Sequence, residues 1–256
     1  YRMFGGWQIV SILVLVGLWV RSGVADIHHA DVAPKALQEK DVTRPPLLEA
    51  ILRHPAAFFQ IIGIRAIEMF SMYVVTTFAL SFSTKNLHWE SSFFLTLALA
   101  IGAISLVTIP SFAYLSDRFG RKRVYLIGAA IGGVAAFPFF MSLSGGNLIL
   151  TVVWGLILVN ISHDMAVSVQ QPLITELFGA QYQYSGAGLG YQVAAVVVGG
   201  FTPMIATWIS DSLGLGWQGV AWYIVLGAVV SFATVALMKA KVPETQEPSA
   251  QLVAAE

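Results

Sequence analysis

Cysteine is absent from all 256 residues. Disulfides, thiolate metal centres and cysteine nucleophiles are therefore excluded, while the compartment stays open. Charge is nearly as scarce: Asp, Glu, Lys and Arg make up 11% of the chain, against about a quarter in an average soluble domain. Fourteen basic residues balance fourteen acidic ones, so the basic excess that nucleic-acid binding requires is missing. A signal peptide is also missing, and "YRMFGGW" runs straight into an apolar segment, as expected of a fragment. Neither a nucleophile–base pairing nor a metal-ligand constellation appears. The expectation is a protein that is not an enzyme and holds no metal or organic cofactor.

Apolar surface is what the chain has in abundance. Hydrophobic residues make up 57% and mean hydropathy is +0.74, more than one or two globular domains can cover with so little polar surface. A transmembrane helix needs about 20 largely apolar residues. The chain offers a partial segment at 7–20, closed by Arg21, and six full spans at 57–80, 92–115, 124–143, 148–169, 185–209 and 218–238. The fold class is all-α and membrane-embedded. The expected division is 1–21 as the end of a preceding span, 22–55 as a cytoplasmic connection, 56–239 as six spans and 240–256 as a polar cytoplasmic tail. In the connection, "PPLLEAILRHP" suits two turns of amphipathic helix between Pro46 and Pro55.

Orientation follows from the bases. Arg21, Lys35, Lys40, Arg44 and Arg53 lie in the connection, Arg118, Arg121, Lys122 and Arg123 in the 116–123 loop, and Lys239 and Lys241 after the last span. Alternating spans place all of them on one face, which the positive-inside rule makes cytoplasmic, together with the C-terminus. The 170–184 loop falls on the same face but carries no Lys or Arg.

Charge inside the spans points to function. Arg65 and Glu68 stand three residues apart in "IIGIRAIEMF", within one helical arc of about 80° that also holds Met72 and Thr76. Ionisable groups at that depth cost several kcal/mol unless they pair or face water. One reading is a neutralised pair that fixes helix packing. The other makes Arg65 the ligand of an anionic substrate, because its planar fork suits a carboxylate, with Glu68 tuning it or carrying a proton.

A second polar group is "NISHD". Asn160 and Asp164 share a helical face with Gln171, and His163 lies at its edge. Histidine exchanges protons near physiological pH, so the group reads either as a proton relay or as polar glue between helices. "YSGAGLGYQ" holds a GxGxG pattern but follows no strand, so a dinucleotide site is rejected. Gly186, Gly188 and Gly190, with Gly199 and Gly200, are expected to let their helix approach a neighbour. Tyr191 and Gln192 can hydrogen-bond a polyhydroxy ring, as can Tyr73 and Gln170. Pro138 and Pro203 are expected to kink their helices, and Trp7, Trp89 and Trp217 to anchor span ends.

The loop "SDRFGRKR" between the second and third full spans packs four bases, an acid and a glycine into eight residues. Gly120 permits a tight turn; Asp117 can meet a helix N-terminus, and Arg121 or Arg123 can pair with an acid. This loop resembles the signature loop of the major facilitator superfamily, which recurs between the second and third helices of each six-helix half. The stretches "GGWQIVSILVLVGLWVR", "LLEAILRHP", "FPFFM" and "NISHDMAVSVQQPLITELFGAQYQYSGAGLGYQVAAVVVGGFTPMIA" are similar to the metabolite:proton symporter family within it. The similarity runs from residue 5 to about 239 and corresponds to the C-terminal half of a family member. Gln183 stands before "YSG" where that family commonly has a base.

The resemblance implies proton-coupled symport of a small organic acid, shikimate first among them, across a bacterial inner membrane. It implies Arg65 as carboxylate ligand, Tyr73, Gln170, Tyr191 and Gln192 as hydroxyl partners, and Asp117, Arg118, Gly120, Arg121 and Arg123 as the conformational loop. Its partners would be the substrate, the bilayer and an N-terminal six-helix half. A membrane sensor or scaffold that keeps the fold without transport is the alternative.

Overall fold

The computed structural model describes residues 55–178 and 183–238, the first three of the second stretch by backbone alone. The segment at 7–20, Trp7, the connection with its amphipathic turns, the Gln183 side chain and the tail beyond Met238 lie outside the described residues.

Six helices are long and apolar enough to cross a membrane: α1 Pro55–Asn86, α2 Ser91–Phe119, α3 Arg121–Ser144, α4 Leu148–Thr175, α5 Gly186–Ser212 and α6 Gly216–Leu237. The first turn of α5 begins at Gln183. Each span expected from hydropathy falls on one of these helices, and no strand occurs among the described residues. α1 runs past its expected end because "LSFSTKN" continues the helix, its hydroxyls bonding back to the preceding turn, Thr84 to the carbonyl of Leu80 at 2.8 Å. Thirty-two residues of helix span roughly 48 Å, longer than the hydrocarbon core of about 30 Å.

The connections are short and set by local chemistry. Gly120 joins α2 to α3 at φ 93, a backbone region that glycine enters without a Cβ penalty. Asn147 caps α4 by accepting the Leu150 N–H at 3.1 Å. Three helices are locally widened into π turns, at Val74–Phe78 in α1, Ile157–His163 in α4, and Ala195–Gly200 and Trp208–Ser212 in α5. Such turns concentrate at functional sites. Pro203 follows an interruption of α5 at Phe201, whereas Pro138 lies inside an unbroken α3. Pro110 and Pro172 are also carried inside helices.

α6 packs on α3 and α1, α3 on α4, α4 on α2, and α1 on α5. Ile61, Ile64 and Ile67 of α1, Tyr125, Phe139 and Phe140 of α3, and Ile224 of α6 form the centre of the core. Small residues let these helices meet closely. A Cβ on Gly190 would lie 2.3 Å from Ile61, one on Gly199 2.6 Å from Met69, and one on Gly186 2.6 Å from Phe178. The expected close approach therefore holds at those three positions. Gly188 and Gly200 face open space instead, because they fall on the side of α5 turned away from α1. Trp89 and Trp217 sit at span ends as expected; Trp217 stacks on Phe140 with ring centroids 6.3 Å apart.

Candidate functional site

Arg65 lies ten residues into α1, about 15 Å along its axis. It is 1% exposed and Glu68 is 4% exposed. The guanidinium holds the carboxylate with both edges of its fork: Nε donates to Oε2 at 3.0 Å and Nη2 to Oε1 at 3.2 Å. Nη1 donates to the Tyr191 carbonyl of α5 at 2.7 Å, and the Tyr191 ring covers the cation at 3.5 Å. The Met69 sulfur lies 3.8 Å from Nη2. Each contact offsets the cost of a buried charge: a bidentate carboxylate, a carbonyl dipole and an aromatic face.

The backbone beneath this pair is fixed from two sides. The Ser231 hydroxyl of α6 accepts the Ile67 N–H at 2.9 Å and donates to the Gly63 carbonyl at 2.7 Å. From α3, the buried Tyr125 hydroxyl donates to the carbonyl of Ile64. α1 and α5 run side by side in the same direction: Arg65 meets Tyr191, and Tyr73 packs over Gly199.

The structure thus brings Arg65, Glu68 and Tyr191 together, and Tyr73 lies two turns further along the same seam. Tyr191 contributes its carbonyl and ring face rather than its hydroxyl. Gln192 is on the exposed side of α5. Gln170 is buried on α4, and its Oε1 has no partner among the described residues. Of the rest of the Arg65 arc, Met72 and Thr76 bond each other along the helix, the Thr76 hydroxyl donating to the Met72 carbonyl at 2.7 Å.

A second cluster joins α4 to α2. Asp164 is fully buried. Its Oδ2 accepts from Ser105 at 2.9 Å, from Asn160 Nδ2 at 3.2 Å and from the Thr108 hydroxyl. Its Oδ1 is 2.9 Å from His163 Nδ1. Asn160 Nδ2 also donates to the Ile101 carbonyl at 3.0 Å and to Ser105 Oγ at 2.9 Å. Asn160, His163 and Asp164 therefore do assemble, and Gln171, expected on their face, is exposed. Ser105 and Thr108 escaped the sequence reading. With Ile101 they lie on the stripe of α2 that meets α4, while most of that helix is exposed.

At the basic turn, Arg121 pairs with Glu176 at the end of α4 at 3.4 Å, as expected of one of the two arginines. Lys122, not singled out before, donates to the Ala236 and Met238 carbonyls at 2.7 and 2.9 Å, so it caps the C-terminus of α6. Arg118 lies over the Tyr114 ring at 5.7 Å. Asp117 and Arg123 are exposed without a polar partner among the described residues, so Asp117 does not reach a helix N-terminus there. No group of three metal-ligating side chains occurs among the described residues.

Six helices long and apolar enough to cross a membrane, a buried ion pair inside the first of them and a basic turn between the second and third define a polytopic membrane protein. The model of the Major Facilitator Superfamily matches residues 61–254. The chain belongs to that superfamily. It is 47% identical over 238 residues to the shikimate transporter of Escherichia coli K12, covering 91% of this chain and 54% of that protein. It is 25% identical over 244 residues to the proline/betaine transporter of the same organism, covering 91% and 48%. To the citrate-proton symporter of Klebsiella pneumoniae it is 28% identical over 144 residues, covering 56% and 32%. The chain spans about half the length of the first of these relatives. No solved structure matches it.

Proposed function

We propose that this chain is the C-terminal half of a proton-coupled symporter for a small organic acid, shikimate first, in a bacterial inner membrane with its C-terminus in the cytoplasm. The observation that carries the reading is the 47% identity to a shikimate transporter over 91% of the chain. A relative named as a citrate-proton symporter supports both the acid and the proton. The proline/betaine relative is named for a different substrate class and is only 25% identical, so the higher identity supports the acid.

Arg65 is the carboxylate ligand and Glu68 the group through which the proton acts. In the described state Glu68 occupies the fork that a substrate carboxylate needs. A proton on Glu68 removes its charge and weakens its hold on Arg65, and an incoming carboxylate then restores neutrality around the buried guanidinium. Proton and acid thus bind as a pair. Tyr73, Gln170, Tyr191 and Gln192 supply hydroxyl contacts as the α1–α5 seam opens, and the N-terminal half closes the other side of a midplane cavity. The Asp117–Arg123 turn makes and breaks contacts such as Arg121–Glu176 as the halves rock.

The test is uptake of labelled shikimate by transporter-deficient cells. They express the chain alone or joined to its upstream coding sequence, with and without a protonophore. Protonophore-sensitive accumulation by the joined protein is expected, with affinity lost in Arg65→Lys. Normal affinity in Arg65→Lys would remove the carboxylate role. Binding without accumulation would replace transport by sensing.

A further inference from the structure

At the end of the bundle opposite the basic turn, the start of α2 and the α3–α4 turn enclose a cleft of about 480 Å³. That lies within the range of roughly 300–1,000 Å³ found for small-molecule sites. Trp89, Glu90, Ser92, Phe93 and Thr96 line it from the α2 side, and Leu148 from the start of α4. Its polar side chains share one chemical bias. The Ser92 hydroxyl donates to the Glu90 carboxylate at 3.0 Å, and the Thr96 hydroxyl to the Ser92 carbonyl at 2.8 Å. Both hydroxyl protons are thereby spent, so Glu90, Ser92 and Thr96 have only lone pairs and one negative charge to offer a ligand. The Trp89 and Phe93 rings meet edge to face with centroids 5.5 Å apart, and aromatic faces attract cations. Lys85 and His88 are exposed just before the cleft but do not line it.

We propose that this cleft binds a phospholipid whose headgroup carries a primary ammonium, phosphatidylethanolamine being the simplest. An ammonium has three N–H donors and no acceptor, which complements a lining of lone pairs, one carboxylate and two rings. Glu90 repels a purely anionic headgroup. Among the lining side chains, only Trp89 keeps an N–H without a protein partner among the described residues, and it suits a phosphoryl oxygen beside the ammonium. The occupant is a lipid rather than a soluble amine because apolar surface continues from the cleft. Leu99, seven residues after Ser92 and three after Thr96, extends their face of α2 into the span and is 76% exposed. Leu148 is 48% exposed, and an acyl chain covers both. Tryptophan at a span end marks headgroup depth, so Glu90 and the lipid ammonium meet at one level.

The experiment uses the protein expressed from its complete coding sequence and purified in detergent, with lipid binding followed by native mass spectrometry. The probes are phosphatidylethanolamine, phosphatidylcholine and phosphatidylglycerol with identical acyl chains, and soluble O-phosphoethanolamine. Phosphatidylethanolamine is expected to bind about tenfold more tightly than phosphatidylglycerol, the worth of one charge-assisted hydrogen bond. Phosphatidylcholine, a cation without N–H groups, should fall between them. Glu90→Gln should bring phosphatidylethanolamine down to the level of phosphatidylglycerol and leave the lipid-free melting temperature unchanged, since the side chain is exposed. Equal binding of the three lipids, or an undiminished ethanolamine preference in Glu90→Gln, would overturn the site. O-phosphoethanolamine binding as tightly as the lipid would overturn the lipid as occupant. Neither substrate nor uptake is involved, so failure of the shikimate reading leaves this result standing.

Discussion

Arg65 shows how a charge survives burial inside an apolar helix. Its fork is satisfied by one carboxylate, one carbonyl and one ring, and removing either member of the pair strands the other. Arg65→Met alone, or Glu68→Met alone, should destabilise the protein by about 3–5 kcal/mol, whereas the double variant should lose much less. Melting in detergent measures this directly. The double variant also separates two roles: if the pair only packs helices, its transport survives once stability is restored, and if Arg65 holds the substrate carboxylate, transport is lost. Lysine cannot replace Arg65, because a single ammonium does not serve Glu68, the Tyr191 carbonyl and the ring at once.

At the scale of helices, seams decide stability. Gly227 of α6 faces the Phe70 ring, which stacks on Tyr223 with centroids 4.0 Å apart, and an added Cβ would lie 2.3 Å from it. Gly227→Ala should therefore cost about 1–3 kcal/mol through overpacking. Gly188→Ala meets open space inside a helix and should be neutral or stabilise by up to about 1 kcal/mol. Melting curves that rank the two variants the other way would contradict the α1–α6 seam. The same contrast explains what the sequence could reveal. Hydropathy located all six spans, because burying apolar side chains in lipid is a property of composition. Arg65–Glu68 and Asn160–Asp164 were legible because an i, i+3 or i, i+4 spacing already fixes a shared face. Which glycines touch a neighbour was not legible, since Gly186, Gly188 and Gly190 differ only in the side of α5 they occupy. Ser105, Thr108 and Lys122 were hidden for a related reason: a hydroxyl in a span or a lysine in a basic loop gains meaning only from a partner on another helix, 56 residues away for Thr108 and Asp164 and 114 for Lys122 and Ala236.

For the molecule as a whole, the basic turn gathers one end of the bundle. Lys122 caps α6, and Arg121 reaches Glu176 beyond α4. The turn at 120, the end of α4 and the end of α6 therefore share a side, while the turn at Gly145–Asn147 and Trp89 lie at the other. That arrangement resolves the oddity of the 170–184 loop. Having no base of its own, it presents an acid to a base on the neighbouring turn, so the positive character of this end resides in Arg118, Arg121, Lys122 and Arg123. Bases are retained on the cytoplasmic side, and this end is therefore predicted to face the cytoplasm. A fluorescent protein fused after Met238 should fluoresce, and alkaline phosphatase fused at Asn147 should be active, with the reciprocal fusions at background. Replacing Arg118, Arg121, Lys122 and Arg123 together by glutamine should reduce that asymmetry, because it removes the bases that hold the turn inside. Replacing Arg121 alone should leave it intact, since an exposed pair at 3.4 Å contributes at most about 1 kcal/mol and three bases remain. Active phosphatase at 238 with a silent one at 147 would invert the bundle.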